Sequence, residues 1–160
     1  MTVKIGDKIP TISVKQVTSN GAVDITTDDL FNNKTSIVFA LPGAFTPVCS
    51  AQHLPGFIKN KDKLKEKGID QIICLSVNDV FVMGAWADNQ NVQDSVIMIA
   101  DGNADLTKAV GLDVDLSANG MGIRSQRYLM VVKNGVVTRL EIEPLSACSL
   151  TSADHILDAL

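Results

Sequence analysis

Pro42-Gly43-Ala44-Phe45-Thr46-Pro47-Val48-Cys49 is the stretch on which the fold of this chain turns, because it joins an apolar run to the start of a helix. The run before it, Ser36-Ile37-Val38-Phe39-Ala40-Leu41, has the length and composition of a buried strand. Thr46 and Pro47 predict a helix start, with a hydroxyl at the N-cap to take an orphan amide and a proline at N1, where no amide is missed. Cys49 then falls in the first turn, where unpaired amides and the positive end of the helix dipole stabilise an anion. A thiol so placed is partly thiolate near neutral pH. The alternative is a small buried hydrophobe, the ordinary fate of a free cysteine. Strand, Gly/Pro turn, capped helix and thiol in that order favour the reactive reading.

Downstream, Pro55 and Gly56 interrupt the helix, since an internal proline removes one hydrogen bond and kinks the axis. Leu54, Phe57, Ile58 and Leu64 share one face, and Lys59, Lys61, Lys63, Lys65 and Lys67 form a solvated remainder that closes at Gly68. Gln71–Val77 reads as a strand covered on both faces, followed by a helix from Asn78-Asp79 through Phe81, Met83 and Trp86. A strand at Val96–Ala100 and a short helix near Ala104–Val110 continue the alternation, which marks a mostly parallel sheet with helices on its faces. Gly111–Gln126 reads as irregular. Arg127–Lys133 and Val136–Glu143 flank Asn134-Gly135, a strong hairpin signal, and Thr151 or Ser152 caps a last amphipathic helix. Residues 3–35 give short strand-like pieces and a single helical turn at Thr27–Phe31. The expectation is one α/β domain over residues 1–160, with a central mixed sheet flanked by helices.

The chain has 160 residues, 46% hydrophobic and 20% charged, which is ordinary for a single folded domain. A net charge of −4 without a basic cluster argues against a nucleic-acid partner, and no apolar run approaches membrane-spanning length. Met1–Asp7 has neither a signal peptide's apolar core nor a transit peptide's bias, so the expected location is cytoplasmic. Three cysteines are too few for a secreted disulfide framework and should rest as thiols.

Other motifs in the chain point to chemistry less clearly than this thiol does. Asn119-Gly120-Met121-Gly122-Ile123-Arg124 lacks the preceding strand of a dinucleotide fingerprint, and Asp113-Val114-Asp115-Leu116-Ser117 opens like a calcium loop, but its glycine is at the wrong offset and Arg124 holds the closing position in place of glutamate. Neither a metal nor another cofactor is expected. Cys49 and His53, four apart, could be a zinc pair or a hydrolase dyad, but further ligands at zinc spacing are lacking and His53 reads better as a structural hydrogen-bonding residue. His155 reads as a surface residue. Cys74, in mid-strand, reads as packed and inert, whereas Cys148 lies in a polar loop expected to be exposed and mobile, either incidental or a redox partner. Arg124 precedes a strand in the glycine-rich segment, and its position alone leaves open a surface arginine or a site cation.

Pro42-x-x-x-Thr46-x-x-Cys49 resembles the active-site motif of the peroxiredoxins, and Val38–Ser50, His53-Leu54-Pro55-Gly56-Phe57, Cys74–Met83 and Gly111–Leu116 are similar to the type II, peroxiredoxin-five-like subgroup. The resemblance runs nearly end to end. It implies a thioredoxin-like fold with an N-terminal extension, a homodimer, and reduction of hydrogen peroxide, alkyl hydroperoxides and often peroxynitrite. It makes Cys49 the peroxidatic cysteine, with Thr46, Pro42 and Arg124 completing the site. In subgroup members with a cysteine matching Cys148, that residue resolves within the same chain. Members lacking it depend directly on glutaredoxin, glutathione or thioredoxin. The lack of a Cys-x-x-Cys pair argues against a thioredoxin or isomerase on the same fold. The alternative function is a stoichiometric redox sensor using the same thiol.

Overall fold

Two strands without a single charged residue set the frame: β3 (Thr35–Leu41) and β4 (Gln71–Ser76) are buried along almost their whole length. Such runs belong in the middle of a sheet covered on both faces. The computed structural model describes Met1–Leu160 and places them there, paired in parallel from Ser36↔Gln71 to Leu41↔Ser76. The remaining strands are β1 (Ser13–Thr18), β2 (Gly21–Thr26), β5 (Ile97–Ala100), β6 (Asp113–Asp115), β7 (Ile123–Ser125), β8 (Arg127–Lys133) and β9 (Val136–Glu143). Seven of the nine strands make one sheet in the order β2-β1-β5-β4-β3-β8-β9, and β6 and β7 form a separate pair. β3, β4 and β5 are parallel, while β1 and β8 join them antiparallel, so the sheet is mixed as expected.

Helices cover both faces. α2 (Leu54–Glu66), α3 (Val80–Asn89) and α5 (Ala153–Ala159) pack on the face presenting Ile37, Phe39, Cys74, Met98, Leu129 and Val131. α1 (Thr27–Phe31) and α4 (Asp105–Ala109) cover the face of Val38, Ile73, Leu75, Ile99 and Met130. The alternation of these residues along each strand is the period-2 pattern that assigns side chains to opposite faces. On the first face Phe39 stacks on Phe57 with ring centroids 4.2 Å apart.

Local signals hold at most element ends. Asp79 accepts from the Val82 amide and caps α3. Gly68 leaves α2 at φ +93°, where a side chain is strained. Asn134 and Gly135 both adopt positive φ, as the tight turn between β8 and β9 requires. The structure sharpens two expectations and corrects one. Of the two candidates, Ser152 caps α5 by accepting from the His155 amide, while the Thr151 hydroxyl donates to Glu143. The segment expected to be irregular folds into the β6–β7 pair, whose short strands lack the length that makes a pattern visible. The interruption expected at Pro55 and Gly56 falls one turn earlier: α2 begins at Leu54 with Pro55 in its first turn, and a π-helical turn over Cys49–His53 precedes it, with a hydrogen bond from the Leu54 amide to the Cys49 carbonyl.

Leu64 is fully buried on α2, away from the Cys49 end. Leu64→Ala is expected to cost about 2–5 kcal/mol of unfolding free energy, read from urea denaturation.

Candidate active site

The chain leaves the C-terminal end of β3 at Pro42 and crosses to the helix start in a tight loop. Gly43 lets the loop pack closely there, since a Cβ would lie 3.0 Å from the Arg124 guanidinium and 3.3 Å from the Thr46 methyl and would require those side chains to shift. Phe45 sits at φ +64°, a strained conformation for an aromatic residue. The Ala44 amide donates to Asn78 Oδ1 at 3.0 Å, which ties this loop to the end of β4. Thr46 holds the N-cap position through its backbone, its carbonyl accepting from the Ser50 amide. Its side chain does not cap, which corrects the sequence reading: the hydroxyl donates to the Gly43 carbonyl at 2.7 Å. Pro42 is buried beneath the loop.

Cys49 is completely buried, and its sulfur accepts a hydrogen bond of 3.2 Å from Arg127 Nη2. Arg127 is equally buried, and every donor assigned to it meets a neutral acceptor or this sulfur: Nε and Nη2 reach the Leu145 carbonyl, and Nη1 reaches His53 Nδ1 at 2.7 Å. No carboxylate lies within ion-pair distance of it. His53 Nε2 donates to the Thr151 carbonyl at 3.0 Å, so its other nitrogen is the acceptor for Arg127. Burial and then the Arg127 charge hold His53 far below its ordinary 6.5, at about 3. Both ring nitrogens being engaged, His53 is the structural residue expected and has no nitrogen left to act as the base of a hydrolase dyad.

Arg127 was not among the residues singled out from the sequence. Arg124, which was, comes to the same end of the sheet, but its guanidinium bonds the carbonyls of Met121, Pro42 and Val77, at 2.9, 3.4 and 3.4 Å. The cation touching the thiol is therefore Arg127. A usable signal was present: Arg127 is in period-2 register with Leu129 and Val131, so a charged side chain is aimed into the helix-covered core. The Cys148 loop also differs from expectation. Cys148 is half-buried, and burial pushes its thiol up, with Arg127 pulling the other way and Glu143, Thr151 and Cys49 close enough to contribute. Cys74 is packed in β4 on the same face as Cys49, and burial raises its thiol well above the ordinary range.

Glu143 completes the surroundings. Burial pushes its carboxyl up, but hydrogen bonds from Thr151, Ser149 and Leu150 outweigh this and hold it at about 2, against an ordinary 4.5. The two depressed groups act on stability in the same direction. The folded protein refuses at His53 a proton that the unfolded chain accepts, so stability is intact above pH 6.5 and falls toward pH 3. The expected slope is about 1.4 kcal/mol per pH unit, and Glu143 adds a second loss below its unfolded value. Urea denaturation at stepwise lower pH checks this, and His53→Gln is expected to abolish the slope immediately below pH 6.5.

The profile of the Redoxin family matches residues 4–157. Among curated proteins, peroxiredoxin-2E-2, chloroplastic, of Oryza sativa is 42% identical across 99% of this chain and 73% of that protein. Peroxiredoxin-2D of Arabidopsis thaliana is 40% identical across 99% and 98%. Among solved structures, reduced Prx3 of Vibrio vulnificus in complex with hydrogen peroxide superposes with a TM-score of 0.93 at 45% identity, covering 99% of both chains. Its neighbours share the thioredoxin fold that the mixed sheet and flanking helices build here. The chain thus belongs to the redoxin family, as a peroxiredoxin, a thiol-dependent peroxidase.

Proposed function

We propose that Cys49 is the attacking thiol and that it reduces hydrogen peroxide, alkyl hydroperoxides and peroxynitrite. The observation that carries this reading is the hydrogen bond from the buried Arg127 to Cys49 Sγ, in a pocket where the other acceptors of that cation are neutral. A guanidinium stays charged at any working pH, so the group facing it is favoured as an anion.

The thiolate attacks the hydroxyl oxygen of the peroxide in line; an S–O bond forms as the O–O bond breaks. The departing alkoxide takes a proton from solvent, and Cys49 is left as a sulfenic acid. Charge grows on the leaving oxygen during the step, and Arg127 together with the unpaired amides of the first helical turn stabilises it most at that point. Thr46 spends its hydroxyl proton on the Gly43 carbonyl, which leaves its oxygen as acceptor for the O–H of the incoming peroxide. Pro42 shields the sulfur from water. Arg124 serves the site by holding the Pro42 and Val77 carbonyls, and so fixes the loop in which Thr46 lies.

Recovery needs two electrons. Cys148 is the proposed resolving cysteine: its thiol condenses with the sulfenic acid, releasing water and forming a disulfide that thioredoxin reduces. The half-buried position of Cys148 close to Arg127 and Cys49 supports this route. If no bridge forms, glutathione or glutaredoxin takes the sulfenic acid directly. A homodimer is supported by Phe45 and Phe81, exposed at 51% and 83%: the Phe45 loop is bonded to Asn78 immediately before α3, so both aromatics crowd one end of the molecule. The three unpaired thiols suit a reducing, cytoplasmic setting.

Intact mass of the reduced protein after one equivalent of hydrogen peroxide, with peptide mapping, tests the scheme. Loss of two hydrogens with a Cys49–Cys148 link is expected; one added oxygen on Cys49 without a bridge transfers resolution to an external thiol. An unmodified Cys49, or normal turnover by Cys49→Ser, ends the reading. Arg127→Ala is expected to slow the peroxide step about 10²–10³-fold, and Arg124→Ala less, since Arg124 has no contact with the sulfur.

A further inference from the structure

Arg127 is oriented by two carbonyls that lie on the loop after β9. Leu145 O accepts from its Nε and Nη2 at 3.2 and 3.1 Å, and Thr151 O accepts from His53, whose other nitrogen accepts from Arg127. Pro144–Thr151 contains no helix or strand, so its own backbone does not hold those carbonyls in place. The Glu143 carboxylate anchors the Thr151 end of this segment, and Leu145 lies in the short span between Glu143 and that anchor. The carboxylate accepts from the amides of Ser149, Leu150 and Thr151 at 3.0–3.1 Å, from the Ser149 hydroxyl at 3.1 Å, and from the Thr151 hydroxyl. Five donors on three consecutive residues converge on one carboxylate, a charge-assisted set stronger than neutral bonds. Glu143 is also the cross-strand partner of Arg127, at the end of β9 where β8 begins.

We infer that Glu143 is a positioning residue for the peroxide step: by clamping the Ser149–Thr151 backbone it fixes the Thr151 carbonyl directly, and by closing the loop between Glu143 and Ser149 it restrains the Leu145 carbonyl, and these two aim Arg127 at Cys49. It touches neither sulfur nor peroxide. The residue acts through the loop, and its loss leaves the thiol in place with a badly aimed cation. The inference rests on Cys49 being the attacking thiol.

Two rates on the same protein separate aiming from simple support. Alkylation of Cys49 by iodoacetamide needs the thiolate alone, whereas peroxide reduction also needs Arg127 directed at the breaking bond. Glu143→Gln keeps the shape and removes the charge. Its second-order rate with hydrogen peroxide is expected to fall about tenfold or more relative to its Cys49 alkylation rate, with the pH profile of alkylation displaced upward. Thr151→Val, which deletes one hydroxyl donor and keeps the amide, is expected to show a smaller effect in the same direction, and it stands as the test if Glu143→Gln does not fold. A wild-type ratio of the two rates and an unchanged pH profile in the folded variants overturn the inference. Peroxide turnover by Cys49→Ser, measured alongside, overturns instead the assignment of the attacking thiol.

Discussion

A guanidinium buried without a carboxylate is the constraint on which the site depends. Removing such a charge from water costs several kcal/mol unless hydrogen bonds and an opposite charge replace the solvent. Arg127 has the hydrogen bonds, which it donates to the Leu145 carbonyl and a histidine nitrogen, but both partners are neutral. The remaining partner is Cys49 Sγ. Cation and thiol are therefore mutually dependent: the arginine gives the sulfur a charged hydrogen-bond donor, and the sulfur completes the set of acceptors that replaces water around the arginine. His53 belongs to the same arrangement, since its neutrality frees Nδ1 to accept from Arg127, and the Arg127 charge is one of the two causes that keep it neutral.

The sheet accounts for how these groups meet. β8 runs antiparallel beside β3, with Tyr128 opposite Ala40, so Arg127 stands next to the point where the chain leaves Leu41 for the Pro42 loop. This is the carboxyl end of the parallel strands, where α/β sheets open a crevice. The π-helical turn adds a local adjustment. Cys49 and His53 bound it, both are buried, and both contact the same guanidinium. A widened turn of this kind is commonly retained where side-chain direction matters more than helix stability.

Much of the arrangement was legible in the sequence because it is local. Strand, turn, helix and thiol occupy one continuous stretch, and the charge-free strands, the Asn134-Gly135 turn and the Asp79 cap each depend on neighbours within a few residues. What escaped was non-local. Arg124 and Arg127 lie three residues apart in similar text, and only the strand register tells which enters the core with Leu129 and Val131. The Thr46 hydroxyl suited a cap, but the Gly43 carbonyl three residues earlier captured it. The Cys148 loop read as mobile because its residues are polar; the carboxylate that organises it is also polar and precedes the loop in what reads as ordinary strand.

Net charge and local field also separate here. The chain carries −4 overall, which weighs against polyanionic partners but says nothing about a single pocket. Of its three arginines, Arg139 pairs with Glu141, while the other two converge on the Pro42–Cys49 segment from different sheets. Arg124, on β7, grips the loop carbonyls, and Arg127, on β8, meets the sulfur. Between them begins a helix whose first amides lack intrahelical partners. Two fixed cations and a helix N-terminus thus surround one thiol in an acidic protein. On the proposed assignment of Cys49 as the attacking thiol, hydrogen peroxide arrives neutral and charge appears on the departing oxygen only as the O–O bond breaks, so these groups favour the transition state over the bound reactant.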